Sequence, residues 1–283
     1  MRTFVIRHGM KIIGVLLFIW VLATTDVQQI ITTLSRVPLR FLVGTLVLFP
    51  VIYTLRSLRW HILAHTVGSV VSFAESLRMY YAGIFLGMIT PGRIGEAARI
   101  PFLTRQGITV RKGILLTVLD RVFDVGCIGI LSIIAVGVLW SWTLAAVITA
   151  ALLLAFLLML LFLKKIPFAL PVIRLVWRPC PRLIALTFVS WGFYFLQLEI
   201  LRRGFAINLP LTHFLSIMTF AGIVSMLPIA PAGLGTRDAF VAFMFLRYQV
   251  PTETSVAFTA TIFLLTFLGS LLGLYAWFHP PMK

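Results

Sequence analysis

A chain of 283 residues that is 60% hydrophobic and only 11% charged, with a mean hydropathy of +1.06, is an integral membrane protein, because soluble domains carry about a quarter charged residues. Its apolar runs are long and continuous rather than alternating over about ten residues, so helices and not barrel strands are the expected spanning element. Twenty-four Lys and Arg against eight Asp and Glu give a net charge of +16. The basic residues form short clusters between apolar runs, the pattern of cytoplasmic loops facing anionic lipid, and no basic domain points to nucleic acid.

Arg2, Arg7 and Lys11 precede "IIGVLLFIWVLA". No small-residue cleavage site follows, so this reads as a retained first span over about 10–25 rather than a signal peptide. Further spans are expected over 39–60, 113–139, 142–163, 182–201 and 255–278. Connections are short and no linker divides the chain, which reads as a single transmembrane domain, 1–283. Residues 77–104 and 212–247 fit badly as simple spans, since Pro and Gly interrupt each near its middle. Each half is about 12 residues, or about 18 Å of helix, enough to pass the midplane of a core about 30 Å thick. The pattern predicts helical hairpins that re-enter the membrane, where broken backbone needs protein or a water-filled cavity around it. The expected fold class is an all-α polytopic membrane protein with about six transmembrane helices and two broken re-entrant hairpins.

Charge sets the orientation, with both termini cytoplasmic. Arg56, Arg59 and Arg78 are expected at the cytoplasmic face, followed by Arg105, Arg111 and Lys112, and later by Lys164, Lys165, Arg174, Arg178 and Arg182. Trp140 and Trp142 suit an outer interface, while Arg202 and Arg203 fall outside against the rule. Charge alone does not separate re-entrant hairpins from complete spans. Cys127 lies in a spanning run and Cys180 in a basic loop, and the two are expected to stay unpaired.

The two interrupted segments resemble each other. "GIFLGMITPGRIGEAARIPFLTRQGI" and "GIVSMLPIAPAGLGTRDAFVAFMFLRYQV" share Gly-Ile, then Pro-x-x-[Ile/Leu]-Gly, then a run ending near Phe-Leu and a basic residue. Pro91 aligns with Pro231, Ile94 with Leu234 and Gly95 with Gly235. Each copy holds two spans before its hairpin and one after. An odd number reverses the topology, so the copies, about 1–139 and 140–283, are expected to be inverted repeats with a site at their interface.

Five of the acids, Glu96, Asp120, Asp124, Glu199 and Asp238, lie in or beside membrane-depth segments. Each charge at a helix centre costs about 2.5–3.5 kcal/mol on insertion scales, so such groups pair or line a polar cavity. In "LDRVFDVG", Asp120 and Asp124 share a helix face and Arg121 stands three residues before Asp124. Arg93, Glu96 and Arg99 are successive i,i+3 neighbours, and Arg237 and Asp238 occupy the equivalent turn of the second copy. Each group mixes signs, and structural ion pairing and a ligand site both fit. For a ligand, each break would offer the unpaired N–H groups of a half-helix with Arg93 or Arg237 in its first turns, which suits an anion. Pro91 and Pro231 would make the breaks, and Gly92, Gly95, Gly233 and Gly235 would let a headgroup approach the backbone.

Other chemistry is weakly represented. His61 and His65 have the i,i+4 spacing of metal ligands but no carboxylate or cysteine close in sequence, and are read as interfacial. No P-loop, nucleophile elbow or HExxH motif occurs, and neither a metal nor a cofactor is expected. "DRVFD" alone lacks the second acidic element of membrane phosphotransferases.

In order along the chain, "TPGRIGEAARIPFL", "LDRVFD" and "PAGLGTRDAFVAF" resemble the flippase-like transmembrane domain of lysylphosphatidylglycerol synthases, which also occurs as stand-alone membrane proteins. The resemblance covers nearly the whole chain. It implies a protein of the bacterial inner membrane that moves lipids between leaflets, usually lipids with a phosphate and often an amine in the headgroup. On that reading Arg93, Arg99, Arg121 and Arg237 would contact phosphate. Glu96, Asp120, Asp124 and Asp238 would orient these arginines or bind an amine. There are departures: Asp120 and Asp238 stand where glutamate is commoner, and "TATIFLLTFLGS" lacks a tyrosine–arginine pair, which puts a headgroup contact from that helix in doubt. No aminoacyltransferase domain follows residue 283, so the lipid is expected to be made elsewhere and moved here, passively or by ion coupling. The partners implied are membrane lipids with an anionic or zwitterionic phosphate headgroup, with a second copy of the chain or an envelope-biosynthesis protein as protein partners. An accessory subunit of an envelope glycosyltransferase and a membrane enzyme acting on polyprenyl phosphate are the competing readings.

Overall fold

The computed structural model describes residues 27–90, 94–163, 176–227 and 233–278. The span expected at 10–25 and the residues Pro91, Gly92, Arg93 and Pro231 lie outside these. Every described regular element is a helix: α1 Val27–Ser35, α2 Leu39–Thr66, α3 Phe73–Ile89, a 3₁₀ turn Ile94–Ala98 leading into α4 Arg99–Thr104, α5 Val110–Leu139, α6 Trp142–Leu163, α7 Cys180–Gly204, α8 Leu211–Met226, α9 Thr236–Leu246, α10 Thr252–Ser270 and α11 Leu272–Phe278. Among the described residues, four helices are long and apolar enough to cross a membrane: α2, α5, α7 and the stretch Thr252–Ala276. They correspond to the spans expected at 39–60, 113–139, 182–201 and 255–278. The run expected at 142–163 forms α6, of 22 residues.

The polarity of α5 is that of a soluble amphipathic helix turned inside out. Val110, Ile114, Val118, Val122 and Val125, three or four residues apart, are exposed. The opposite face buries Leu116, Asp120, Asp124, Cys127 and Ile128. Lipid solvates the branched apolar stripe, while the carboxylates, which lipid cannot solvate, are held inside the protein. Against this helix pack α8 and α6, and α2 runs along α7.

Both interrupted segments fold back on themselves. In the first, Ser72 and Glu75 form a reciprocal cap that starts α3, with Ser72 N–H donating to Glu75 Oε2 at 2.7 Å. The return arm then lies along α3, placing Glu96 against Gly87 and Arg99 against Gly83. A Cβ at Gly83 would sit 2.8 Å from Arg99 Nε, and one at Gly87 2.8 Å from Glu96 Cγ, so these glycines form the groove that holds the two charged stems. The arm is irregular in part because Pro101 has no N–H to bond back to Ala97, and a 3₁₀ turn precedes the short α4. In the second hairpin, Gly233, at φ +75°, packs on Ser225, and Phe214 near the start of α8 meets Phe245 near the end of α9 at 6.1 Å. Fold-back is therefore seen in both.

Two apolar cores follow this division. One joins Trp60, Leu63, Met79, Tyr80, Leu103 and Leu116 around the first hairpin. The other joins Leu201, Phe214, Ile217, Val241, Phe245 and Phe258 around the second. A small cluster of Cys127, Ile128 and Trp191 lies apart from both.

Candidate functional site

The inner face of α5 is the centre of a buried ion network. Asp120 and Asp124 stand one turn apart, and Arg59 from α2 takes both. Its Nε donates to Asp120 Oδ1 at 2.9 Å, and its Nη1 and Nη2 donate to the two oxygens of Asp124 at 3.0 and 2.8 Å. Nη1 also reaches Thr187 Oγ1 on α7 at 2.9 Å. The second oxygen of Asp120 accepts from Arg99 Nη1 at 2.9 Å. Arg99 in turn pairs with Glu96, and Glu96 with Arg121. The Arg99 guanidinium is stacked between the rings of Trp60 and Tyr80, at 4.6 and 4.3 Å from their centroids. Three arginines and three carboxylates alternate, and Arg59, Arg99 and Asp120 have no exposed surface. Such pairing is the condition under which charges tolerate burial at all.

The network joins what the sequence shows as two separate motifs. Glu96 and Arg99 belong to the first hairpin and Asp120, Arg121 and Asp124 to α5; Arg99 to Asp120 and Glu96 to Arg121 couple them directly, and Arg59 ties the α5 carboxylates to α2 and, through Thr187, to α7. Arg56 and Arg59 were expected at the cytoplasmic face, and this is corrected: both are buried, at 8% and 0% exposure. The reason is that α2 does not stop near residue 60 but continues to Thr66, leaving Arg56 about 15 Å of helix from its end. The apolar residues of "WHILA" beyond Arg59 are the signal that could have shown this.

Arg237 and Asp238 form a smaller, local arrangement. Asp238 Oδ1 accepts from Arg237 Nη2 at 2.8 Å, and its Oδ2 accepts the Gly235 N–H at 3.0 Å, capping α9. Arg237 Nη2 also donates to the Thr259 carbonyl of α10 at 3.0 Å. Glu199 serves elsewhere, pairing with Arg202 and Arg203 at the end of α7. Arg202 further donates to the carbonyls of Ile207 and Leu209, at 2.9 and 3.0 Å, so this arginine, expected outside against the charge rule, is a neutralised turn brace.

Two details differ from the expected anion site at the breaks. The Gly95 N–H donates to Thr90 Oγ1 at 2.8 Å and the Gly235 N–H to Asp238, so the protein itself uses these donors. The close approaches at Gly95 and Gly233 are made by the opposite hairpin arms, the Leu86 carbonyl and Ser225.

Between the two hairpins lies a cavity of about 120 Å³. Arg56, Arg121, Arg237 and Asp124 supply its charged lining, and Phe49, Tyr53, Trp191 and Tyr194 much of its apolar wall. Met88 from the first hairpin and Gly222, Ser225 and Met226 from the second also reach it. Ile262, Phe263 and Thr266 bring α10 into the wall even without a tyrosine–arginine pair. Of the proposed site residues, Arg121, Asp124 and Arg237 thus face the cavity. Glu96, Arg99 and Asp120 form the network behind Arg121 and Asp124, and Asp238 is the paired neighbour of Arg237. Arg56 was missed as a site residue. Its guanidinium lies 5.7 Å from the ring centroids of both Tyr53 and Trp191, and its buried Nε has no hydrogen-bond partner.

A family model of the lysylphosphatidylglycerol synthase TM region matches residues 10–273. The chain belongs to that family. The match takes in both hairpins, the α2 arginines and the α5 carboxylates. The chain is similar to a UPF0104 membrane protein of Pyrococcus horikoshii, 25% identical over 123 residues, which is 42% of this chain and 37% of that protein. It is also similar to a UPF0104 membrane protein of Methanothermobacter thermautotrophicus, 28% identical over 107 residues, 37% of this chain and 30% of that protein. The matches span about a third of the length of these curated relatives. Both come from archaea, so the family extends beyond the bacterial inner membrane expected from the resemblance. The chain is an integral multi-pass membrane protein.

Proposed function

We propose that this protein is a lipid translocase whose central cavity carries a phosphate-bearing headgroup across the membrane while the lipid tails stay in the bilayer. The observation that carries this reading is the cavity itself. A helical bundle with an apolar exterior encloses a space of about 120 Å³ lined by three arginines. That is room for a phosphate-sized group with several waters rather than for a whole lipid. Arginine suits the task, because its planar fork matches phosphate oxygens and it stays charged when desolvated.

On this reading Arg56, Arg121 and Arg237 contact the phosphate. The network of Arg59, Arg99, Glu96, Asp120 and Asp124 holds Arg121 and the α5 face in position. Residues about 1–139 and 140–283 act as inverted repeats, each with one re-entrant hairpin, and tilt against each other to open the cavity alternately to the two leaflets. Support comes from the fold-back of both segments. A translocase makes no covalent change in the lipid.

The test is leaflet exchange in proteoliposomes, with acyl-labelled phospholipid read from one side and recovered for chemical analysis. Wild type moves the lipid and returns it unaltered, and Arg237→Ala slows it by about tenfold or more, the loss of one charge-assisted contact. Lipid recovered in altered form would point to an enzyme instead, and exchange no faster than in protein-free vesicles would refute the translocase.

A further inference from the structure

We infer that the cavity selects lipids by the net negative charge of the headgroup, with the phosphate seated on Arg56, and takes no part in recognising an amine. The inference rests on the translocase reading and narrows its substrate class.

The argument starts from Arg56. It is more than nine-tenths buried and lines the cavity. Among the described residues no carboxylate forms a salt bridge with it, and its buried Nε has no hydrogen-bond partner. Its neighbours are the ring faces of Tyr53 and Trp191, which hold the cation in place without neutralising it. The other arginines of the network and the cavity each have a carboxylate partner: Arg59 and Arg99 share Asp120, the part-exposed Arg121 has Glu96, and Arg237 has Asp238. Asp124 feels the charge of Arg56 but is already bound by Arg59, so Arg56 is a buried cation with no carboxylate of its own, which is costly, and an entering anion lowers that cost.

An amine finds no such place. Asp124 is the one carboxylate on the described cavity wall, and its charge is already paired with Arg59, with Arg121 4.0 Å away. The charge of Asp238, next to the cavity-lining Arg237, is paired with that arginine, and its other oxygen caps the Gly235 N–H. Glu96 and Asp120 are already ion-paired in the network. The Tyr53 and Trp191 faces that could cage an ammonium already carry Arg56. An added ammonium would enter among three arginines with no carboxylate to receive it. Phosphatidylglycerol-type diesters and polyprenyl phosphates share the favoured chemistry, an anionic phosphate without an amine.

The experiment uses the full chain in two formats. In proteoliposomes, exchange is compared for acyl-labelled phosphatidylglycerol, its lysyl ester and a labelled polyprenyl phosphate. In detergent, binding of the same three lipids is followed by native mass spectrometry. The expected result is that phosphatidylglycerol or the polyprenyl phosphate binds and exchanges about tenfold or more faster than the lysyl ester. Arg56→Gln removes most of that advantage while leaving the melting temperature of the protein nearly unchanged. Which anionic lipid leads tells the glycerolipid from the polyprenyl source. Equal or better exchange and binding of the lysyl ester overturns the inference, as does wild-type selectivity in Arg56→Gln. Anionic lipid bound through Arg56 without exchange would instead refute the translocase reading and leave the site standing.

Discussion

The two hairpins carry related motifs and use their charges differently. In the first, Glu96 and Arg99 reach away from their own arm to Asp120 and Arg121 of α5, and Arg59 and Thr187 complete the network from α2 and α7. In the second, Asp238 turns back on Gly235 and Arg237, and among the described residues the one outward bond is from Arg237 to a backbone carbonyl of α10. Both segments fold back on themselves. What the charges then do depends on what faces them. The first set meets two carboxylates on α5 and becomes a brace between helices. The second meets the apolar side of α10 and the cavity, and closes on itself as a helix cap beside an arginine that lines the cavity.

This difference sets an order of expected effects. Asp120→Ala is the largest, because it removes the carboxylate that Arg59 and Arg99 share in a fully buried site, leaving Arg59 to Asp124 and Arg99 to Glu96, and loss of one partner of a buried pair costs about 3–5 kcal/mol. Thermal unfolding in detergent should show a large drop or no folded protein at all. Gly95→Ala comes next, since its Cβ would meet the Leu86 carbonyl and force the hairpin arms apart, an overpacking of about 1–3 kcal/mol. Asp238→Asn should cost less, about 1 kcal/mol, because it weakens one local pair while Arg237 keeps its bond to Thr259. If Asp238→Asn proved as damaging as Asp120→Ala, the contrast between brace and cap would be lost. Smallest is Arg203→Ala, which removes only the largely exposed partner of Glu199 while Arg202 stays paired with it, and should change stability by about 0–1 kcal/mol.

Much of the frame was legible in the sequence. Runs of apolar residues marked α2, α5, α6, α7 and α10, and paired Pro and Gly marked both hairpins. The small α1 was not expected, and the last span, read as continuous over 255–278, changes helix at Leu271, where α11 turns to lay Gly273 against Tyr81. The site was legible only where its charges are close in sequence. Glu96 with Arg99 and Asp120 with Asp124 announce themselves by helical spacing. Arg59 meets its partners 61 and 65 residues away, a distance over which no local pattern operates. Arg56 and Arg59 also resemble ordinary interface charges, because a cation near a helix end and a buried cation differ in surroundings and not in spacing. The glycines at 83 and 87 were visible, yet their role as a groove depends on the arm that fills it.

The most direct measurement compares Arg56→Gln with Asp120→Asn, taking the rate of anionic lipid exchange and the melting temperature from the same preparations. A cavity that carries headgroups beside a network that holds the helices predicts a clean separation. Arg56→Gln should lose about tenfold or more in exchange at nearly unchanged melting temperature, and Asp120→Asn should lose melting temperature first. Full exchange in Arg56→Gln, or an Asp120→Asn protein as stable as wild type, would contradict it.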